Sequence, residues 1–164
     1  MRVAVGMRVS LVVVSPTVEG YIKEGEEDYA KRLKRLCTLH REEVRVRKEW
    51  GKLGGEEQRE REAPLVLSAL EDKRNVWLLD EGGVMMTSVE FSQMLSHAGT
   101  HGGGEITFAI GGAYGFGGAV LSRYGAQRLS LSKMTFTHQM VRLIFLEQLY
   151  RGFMIQRGSH YHHE

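Results

Sequence analysis

This sequence has one cysteine, two prolines and no long hydrophobic run, and these shortages exclude several classes of protein. With Cys37 alone, no disulfide can form within the chain, so a disulfide-stapled secreted domain is excluded and a reducing compartment fits. No apolar stretch approaches the roughly 18 residues of a membrane span, and the N-terminus lacks a signal peptide's layout. We therefore expect a soluble, cytoplasmic protein with no membrane segment, in which Cys37 is a buried thiol.

The chain also lacks a large excess of either positive or negative charge. The 22 Lys and Arg residues nearly balance the 20 Asp and Glu residues, and a net charge of +2 does not by itself indicate a nucleic-acid partner. Basic residues concentrate only in residues 31–48, and such a run is most often a solvated face. Composition therefore leaves the partner open.

Metal-binding patterns are missing too. His97 and His101 stand four residues apart without an H-E-x-x-H pattern, and Gly99 breaks the helix between them. The tail, residues 158–164, reads GSHYHHE, but no Cys or carboxylate cluster elsewhere completes a metal site with its histidines. We expect no functional metal. The tail stays open to three further interpretations: a purification tag, a frayed end or a working part of the molecule.

What is present is the composition and periodicity of one α/β domain, residues 1–164, with 42% hydrophobic and 26% charged residues. Short apolar runs are typical of strands buried on both faces of a parallel sheet, and they lie at Val9–Val14, Val76–Leu79 and Ile106–Ile110, with weaker ones at 44–46 and 129–131. Helical stretches alternate with them, at about 18–37, 55–72, 87–97 and 117–123. The sequence therefore predicts a mostly parallel sheet with helices on both faces. We interpret residues 1–6, before a second methionine, as an N-terminal extension.

The final predicted helix, residues 139–156, carries apolar residues on two faces. One face suits the sheet, and a partner subunit is the simplest cover for the other. We therefore expect a homodimer whose interface includes this helix. Charged replacement of Leu146 or Tyr150 is expected to give inactive monomers.

A glycine-rich segment, FAIGGAYGFGGAV, follows one predicted strand and precedes a helix. Backbone N–H groups at such a place point at whatever binds. The segment has neither the Gly-Lys-Ser/Thr of a P-loop nor a G-x-G-x-x-G spacing with a later acidic residue. Its interpretation stays open between a generic ligand loop and a plain turn.

A polar segment, LSLSKMTFTHQMVR, runs from a strand end through a loop into the final helix. His138 stands where the helix begins, and a histidine at such a place is as often a cap or a packed ring as a functional group. This segment and its helix, LSLSKMTFTHQMVRLIFLEQLYRGF, together with FAIGGAYG and the tail's YHHE, closely resemble the bacterial SPOUT-class ribosomal RNA large-subunit methyltransferases that methylate N3 of a pseudouridine. The resemblance continues colinearly to MRVSLVVV at the front.

The resemblance implies an α/β fold with a C-terminal trefoil knot, S-adenosylmethionine bound in the knot, and a homodimer that acts on ribosomal RNA or the assembled ribosome. The implied cofactor-binding residues are Leu79, Gly112, Ser132, Lys133, Met134, Thr135, Phe136 and Thr137. The implied catalytic residues are His138, Tyr161 and His162, with His163 and Arg142 as substrate-binding residues. A side chain at Gly112 is expected to intrude on the ligand, so that Gly112→Val weakens cofactor binding.

Two positions depart from the family pattern. Thr137 stands where relatives often have Pro, and His163 stands where they usually have Arg or Lys, so a titratable group replaces a fixed cation. Two alternatives are kept, an RNA-binding module without catalysis and a nucleotide-binding protein that uses only the glycine loop. Cofactor binding discriminates between them, because a nucleotide binder prefers ATP or NAD to S-adenosylmethionine.

Overall fold

The computed structural model of the protein describes residues 6–163. The interpretation of residues 1–6 as an extension lies outside this range, apart from Gly6. Five strands and five α-helices alternate along the described chain. They are β1 (Arg8–Val14), α1 (Gly20–Leu33), β2 (Thr38–Val44), α2 (Gly55–Leu70), β3 (Val76–Met85), α3 (Ser88–His101), β4 (Glu105–Ile110), α4 (Gly118–Tyr124), β5 (Arg128–Ser130) and α5 (His138–Gln156), with a short 3-10 helix, Lys48–Lys52, before α2.

The strands form one sheet in the order β2-β1-β4-β3-β5, and every neighbouring pair is parallel. The strands β1 and β4 are almost entirely buried beyond their first residues, which suits strands covered on both faces. The predicted parallel α/β architecture is confirmed. The trefoil knot stays a prediction, because strand order and pairing do not define how a chain is threaded.

Helices cover both faces of the sheet, as the sequence predicts. Successive side chains of a strand point to opposite faces. In β1, Val9, Leu11 and Val13 pack with α1, α3 and α5, whereas Val12 and Val14 pack with α2 and α4. The first core is aromatic at its centre, where the rings of Phe108 and Phe145 lie 4.6 Å apart.

Helix α5 packs between α1 and α3 and buries more of its surface within the chain than the sequence suggests. Leu146 is fully buried, so it is not available to a second subunit, and a charge there would disrupt the core instead of an interface. Tyr150 is half-buried against Tyr29 of α1. Gly25 lets the two helices approach closely, because a Cβ there would lie 2.5 Å from Leu143 Cδ1. Neither α5 nor any other helix within residues 6–163 is long and apolar enough to cross a membrane.

Strand β2 lies earlier than the sequence indicates, at Thr38–Val44 instead of residues 44–46. It is an edge strand with the sequence TLHREEV, and most of its side chains are exposed or half-buried. An apolar-run criterion therefore finds only its end.

Cys37 lies between α1 and β2 and belongs to the first core. Burial raises the pKa of its thiol to about 12, so the reactive thiolate is not populated near neutral pH. The interpretation of Cys37 as a structural thiol is confirmed.

Candidate functional site

A cavity of about 330 Å³ opens at the carboxyl ends of β4 and β5, beside the middle of β3. Ligands of open α/β sheets bind at this edge, and the volume falls within the roughly 300–1,000 Å³ of small-molecule sites. We call it the strand-end cavity. Its lining comprises Leu79, Asp80, Glu81, Ile110, Gly111, Gly112, Ala113, Tyr114, Gly115, Leu129, Ser130, Leu131, Ser132, Met134, Thr135, Phe136, His138 and Val141.

The glycine-rich segment makes a tight turn that forms one wall of the strand-end cavity. The Gly115 N–H donates to the Gly112 carbonyl at 3.0 Å, and Gly115 has a positive φ of 82°. A Cβ on Gly111 would lie 2.8 Å from the Gly115 backbone. The segment is therefore a turn that also lines a cavity, and its interpretation as a ligand loop stays a prediction.

Gly112 lines the cavity and also lies close to a buried carboxyl group. A Cβ at Gly112 would lie 3.2 Å from Glu62 Oε1 and 3.5 Å from Val14 Cγ1, and neither residue lines the cavity. The atoms nearest to such a Cβ are therefore those of Glu62 and Val14, and the expectation that Gly112→Val weakens cofactor binding stays a prediction.

Glu62 itself is a functional candidate that the sequence reading missed. It is 4% exposed, and the hydrogen bond from Gln58 Nε2 is long, at 3.4 Å. Burial raises the pKa of its carboxyl group. Its burial could have been predicted from the sequence, because Glu62, Val66 and Leu70 follow one another at intervals of one helical turn and so lie on the same face of α2.

The polar loop, residues 131–137, forms the opposite wall. Ser130 Oγ donates to the Ser132 carbonyl at 2.9 Å, and Ser132 Oγ accepts from the Met134 N–H at 2.9 Å. Ser132, Met134, Thr135 and Phe136 line the cavity as the resemblance implies. Met134 is 75% exposed, which places it at the rim.

Lys133 and Thr137 belong to the same loop but are not part of the cavity lining. Lys133 is exposed to solvent. Thr137 is the N-cap of α5, where its Oγ1 accepts from the Met140 N–H at 3.1 Å. The threonine found where relatives often have proline thus satisfies a free N–H group of the helix.

Two carboxylates enter the cavity wall from an irregularity in β3. Leu79 and Val84 both pair with Leu129, so the four residues between them bulge out of the sheet. Within the bulge, Asp80 Oδ2 accepts from the Gly82 N–H at 3.0 Å and from Arg128 Nη1 at 3.1 Å.

Asp80 and its neighbour Glu81 line the cavity, and the sequence reading missed both. Their signal was the sequence DEGG directly after an apolar strand.

His138 is the first residue of α5 and lines the strand-end cavity. It is half-buried, and burial together with the nearby Arg142 cation lowers the pKa of its imidazole. The ring is therefore neutral near pH 7 and can accept a proton. This is the chemical property that a general base needs.

Arg142 is fully buried, one helical turn after His138. Its Nη1 donates to Thr17 Oγ1 at 3.0 Å and its Nη2 donates to the Val14 carbonyl at 2.6 Å. These bonds tie α5 to the end of β1, and the burial argues against a direct contact between Arg142 and RNA. The sequence indicates this burial, because Arg142 lies on the same face of α5 as the apolar residues Phe145 and Leu149.

The tail folds back on the middle of α5. Tyr161 donates its hydroxyl to Glu147 Oε1 at 3.2 Å, and its ring meets Tyr150 edge-on at 4.8 Å. Arg151 lies 4.9 Å above the Tyr161 ring and is 3.2 Å from His162 Nδ1. Tyr161 and His162 are therefore packed against α5, whereas His160 and His163 are exposed.

The tail and the cavity stay apart within one chain. No described tail residue lines the strand-end cavity. The tail contacts α5 at residues 147–151, about 14–20 Å from His138 at a rise of about 1.5 Å per residue. The structure therefore does not bring Tyr161 and His162 together with His138 in a single subunit.

Two further histidines, His97 and His101, lie at the end of α3, with their rings stacked at 4.7 Å. Since α3 leads into the start of β4, this pair lies near the amino-terminal ends of the strands, opposite to the end at which the cavity opens. Residues 6–163 contain no group of three His, Cys, Asp or Glu side chains arranged to hold a metal ion.

Comparison with known proteins matches this architecture. A family model described as predicted SPOUT methyltransferase matches residues 7–162. The curated protein named Ribosomal RNA large subunit methyltransferase H from Bacteroides thetaiotaomicron is 40% identical over 96% of this chain and 100% of its own length. Proteins of the same name from Geobacter sp. (strain M21) and Clostridium acetobutylicum are 43% and 39% identical, over 96% and 95% of this chain and 100% and 99% of theirs. The family resemblance inferred from the sequence is confirmed: the chain belongs to the SPOUT methyltransferase family.

Proposed function

We propose that this protein transfers a methyl group from S-adenosylmethionine to N3 of a pseudouridine in large-subunit ribosomal RNA. One observation carries the proposal: the strand-end cavity is walled by the glycine turn and the polar loop, with a half-buried His138 at its edge. The printed names of the similar proteins support ribosomal RNA as the substrate class. That substrate implies work in the cytoplasm.

The residues of the cavity fit the cofactor. Leu79, Met134 and Phe136 offer apolar surface for an adenine ring, and the loop backbones offer hydrogen bonds to its edge. Asp80 and Glu81 suit ribose hydroxyls and positively charged groups. When bound, S-adenosylmethionine supplies a methyl group on a positively charged sulfur.

The same lining argues against a nucleotide triphosphate. Among the described residues no lysine or arginine lines the cavity, while two carboxylates do. A triphosphate needs cations or a cradle of N–H groups, and carboxylates repel it. The nucleotide-binding alternative is therefore disfavoured on charge.

The chain's own contribution to the reaction is positioning and proton removal. The imide proton on N3 of a pseudouridine has to leave as the nitrogen attacks, and a neutral imidazole within hydrogen-bond reach can accept it. His138 fits this role because its pKa is lowered by burial and by Arg142. Tyr161 and His162 are proposed to hold the RNA base, as a stacking ring and a hydrogen-bonding imidazole.

We also propose that the working form is a homodimer. The cavity and the tail lie at different places along α5, so a second copy has to supply the tail. Exposed apolar side chains surround the cavity mouth, with Tyr114 52% and Met134 75% exposed, as expected for a surface that another subunit covers. A two-fold interface would place each tail beside the other subunit's cavity.

The decisive experiment incubates the protein with S-adenosylmethionine and either intact ribosomes or free ribosomal RNA, followed by mass spectrometry of the nucleosides. We expect N3-methylated pseudouridine from at least one substrate. RNA binding without methylation would instead favour the non-catalytic module. Calorimetry with S-adenosylmethionine, ATP and NAD tests the nucleotide-binding alternative separately.

Mixed dimers test the shared site. A His138→Gln chain and a chain truncated after His160 are each expected to be inactive. Mixing them restores one complete site, formed by the cavity of the truncated chain and the tail of the other. Absence of recovery after verified subunit exchange would contradict the shared site.

A further inference from the structure

Helices α1 and α5 present a compact group of aromatic and charged side chains on which the tail rests. We call this group the tail platform, and it comprises Tyr29, Arg32, Glu147, Tyr150 and Arg151. The two platform rings and the ring of Tyr161 in the tail form a row of contacts. The ring centroids of Tyr29 and Tyr150 lie 6.0 Å apart, and those of Tyr150 and Tyr161 lie 4.8 Å apart.

Arg32 and Arg151 place cations over these rings. Arg32 lies 5.2 Å from the Tyr29 ring and 5.6 Å from the Tyr150 ring. Arg151 lies 4.9 Å from the Tyr161 ring. Cation–π contacts favour fixed ring orientations, so the two arginines restrain the rings from both ends of the group.

Hydrogen bonds hold the hydroxyl end of Tyr161 as well. Glu147 Oε1 accepts from Tyr161 at 3.2 Å and from Arg151 Nε and Nη2 at 3.1 and 2.6 Å. Burial, a hydrogen bond with Tyr29 and the Glu147 carboxylate raise the pKa of Tyr161 above its usual range. The Tyr161 hydroxyl therefore stays protonated and keeps donating.

Arg151 also contacts His162, with Nη1 3.2 Å from the ring Nδ1. A guanidinium only donates hydrogen bonds, so Nδ1 must be the acceptor and carries no proton. In a neutral imidazole the single ring proton then lies on Nε2, the nitrogen on the far side of the ring. The contact thus selects one tautomer, in which His162 presents a donor.

We propose that the tail platform preorganises the tail for RNA binding, and that its Arg151 fixes His162 as a hydrogen-bond donor through Nε2. This inference rests on the proposed function and assigns positioning roles on α1 and α5. His162 then complements His138, because one ring donates a hydrogen bond and the other accepts a proton. The tail's ordering is achieved before RNA arrives, which lowers the entropy lost on binding.

The tautomer is tested by long-range ¹H–¹⁵N spectra of protein labelled at histidine nitrogens, in which protonated and bare ring nitrogens resonate in separate regions. His162→Gln assigns the signal. We expect a protonated Nε2 and a bare Nδ1 in the wild-type protein, a mixed pattern in Arg151→Met, and recovery in Arg151→Lys. Protonated Nδ1 in the wild-type protein, or an unchanged pattern in Arg151→Met, would overturn the inference.

Arg61→Gln is the matched control. Arg61 pairs with Glu57 one turn away on α2, as Arg151 pairs with Glu147 on α5, but Arg61 forms no ion pair or hydrogen bond with residues 158–163. This variant should leave the His162 signals unchanged. A change in them would show that loss of any helix-surface ion pair disturbs the spectrum.

The contribution of α1 is tested with Tyr29→Phe and Arg32→Met. We expect faster amide hydrogen exchange in residues 159–163, a roughly tenfold lower kcat/KM for the RNA substrate, and unchanged S-adenosylmethionine affinity. Tyr124→Phe, which removes a hydroxyl from α4, controls for loss of a hydroxyl group.

The outcomes separate the inference from the proposed function. Faster exchange with unchanged methyl transfer would show that the platform only packs the tail, and would overturn the positioning role. A wild-type protein that methylates no RNA would contradict the proposed function. The spectra would still show which tautomer His162 adopts.

Discussion

A single methyl group at Gly112 tests how the glycine turn is supported. In Gly112→Ala the new Cβ would lie 3.2 Å from Glu62 Oε1, closer than an ordinary van der Waals contact. Glu62 is 4% exposed, so its carboxyl group has little room to retreat. Overpacking of this kind costs about 1–3 kcal/mol. We expect the turn to relieve part of the steric clash by moving toward the cavity. S-adenosylmethionine binding should weaken about tenfold, or about 1.4 kcal/mol.

A double-mutant cycle identifies the cause. Glu62→Ala removes the carboxyl group that the new methyl meets, so adding Gly112→Ala to it should cost little further affinity. Calorimetry gives the affinity of each variant, and thermal unfolding shows whether it is folded. Gly118→Ala, where a Cβ meets nothing within 4 Å, is the control. If Gly112→Ala weakens binding equally with and without Glu62, the methyl group acts on the ligand side and this reasoning fails.

Four further predictions concern charge, catalysis, the tail and assembly. Burial raises the pKa of Glu62, so the stability that its protonated form contributes is lost as pH rises from the ordinary glutamate range through the raised pKa of the folded state. Glu62→Gln should therefore raise Tm at pH 8 more than at pH 5. An equal shift at both pH values would contradict this. His138→Gln should lower kcat about a hundredfold or more without changing cofactor affinity. Because the pKa of His138 is lowered, the wild-type rate should stay constant down to pH values below the usual range of histidine pKa values. If the loss of rate at acid pH persists in the variant, His138 is not the base. Truncation after His160 should abolish methyl transfer and spare cofactor binding, whereas a wild-type rate would reduce the tail to an ordinary end. Met140→Glu, at a half-buried site on α5, should yield monomers in sedimentation, and Leu65→Glu on α2 should not. A wild-type monomer at micromolar concentration would contradict the dimer.

Most elements of the fold can be predicted from the sequence because their signals are local. The apolar runs of β1 and β4 read as buried strands, and the helices lie within a few residues of their predicted bounds. Strand β2 escapes because an edge strand needs little apolar surface, and only its pairing with β1 defines it. The extension of β3 beyond Leu79 escapes for the same reason, since pairing with β5 resumes after the bulge.

The site is only partly predictable. The glycine turn and the polar loop are found because both have motifs, and both line the cavity. The burial of Glu62 and of Arg142 is not foreseen because charged residues are normally assigned to the surface, although both stand at core positions of their helices. Which loop residues face the cavity also depends on tertiary structure, so Thr137 proves to be a helix cap.

Helix α5 holds the cavity and the tail of one chain apart, and under the proposed function these are two halves of a site. Its first residue lies in the cavity wall and its middle holds the tail, and a rigid helix fixes the distance between them. Arg142 further ties the helix to the end of β1, so α5 cannot slide to bring the halves together without leaving buried polar groups unpaired. If both halves act on one RNA base, the missing half has to come from another copy of α5. The proposed dimer thus follows from the stiffness of this helix together with its exposed surroundings, and cofactor binding and RNA binding become separable properties of the same element.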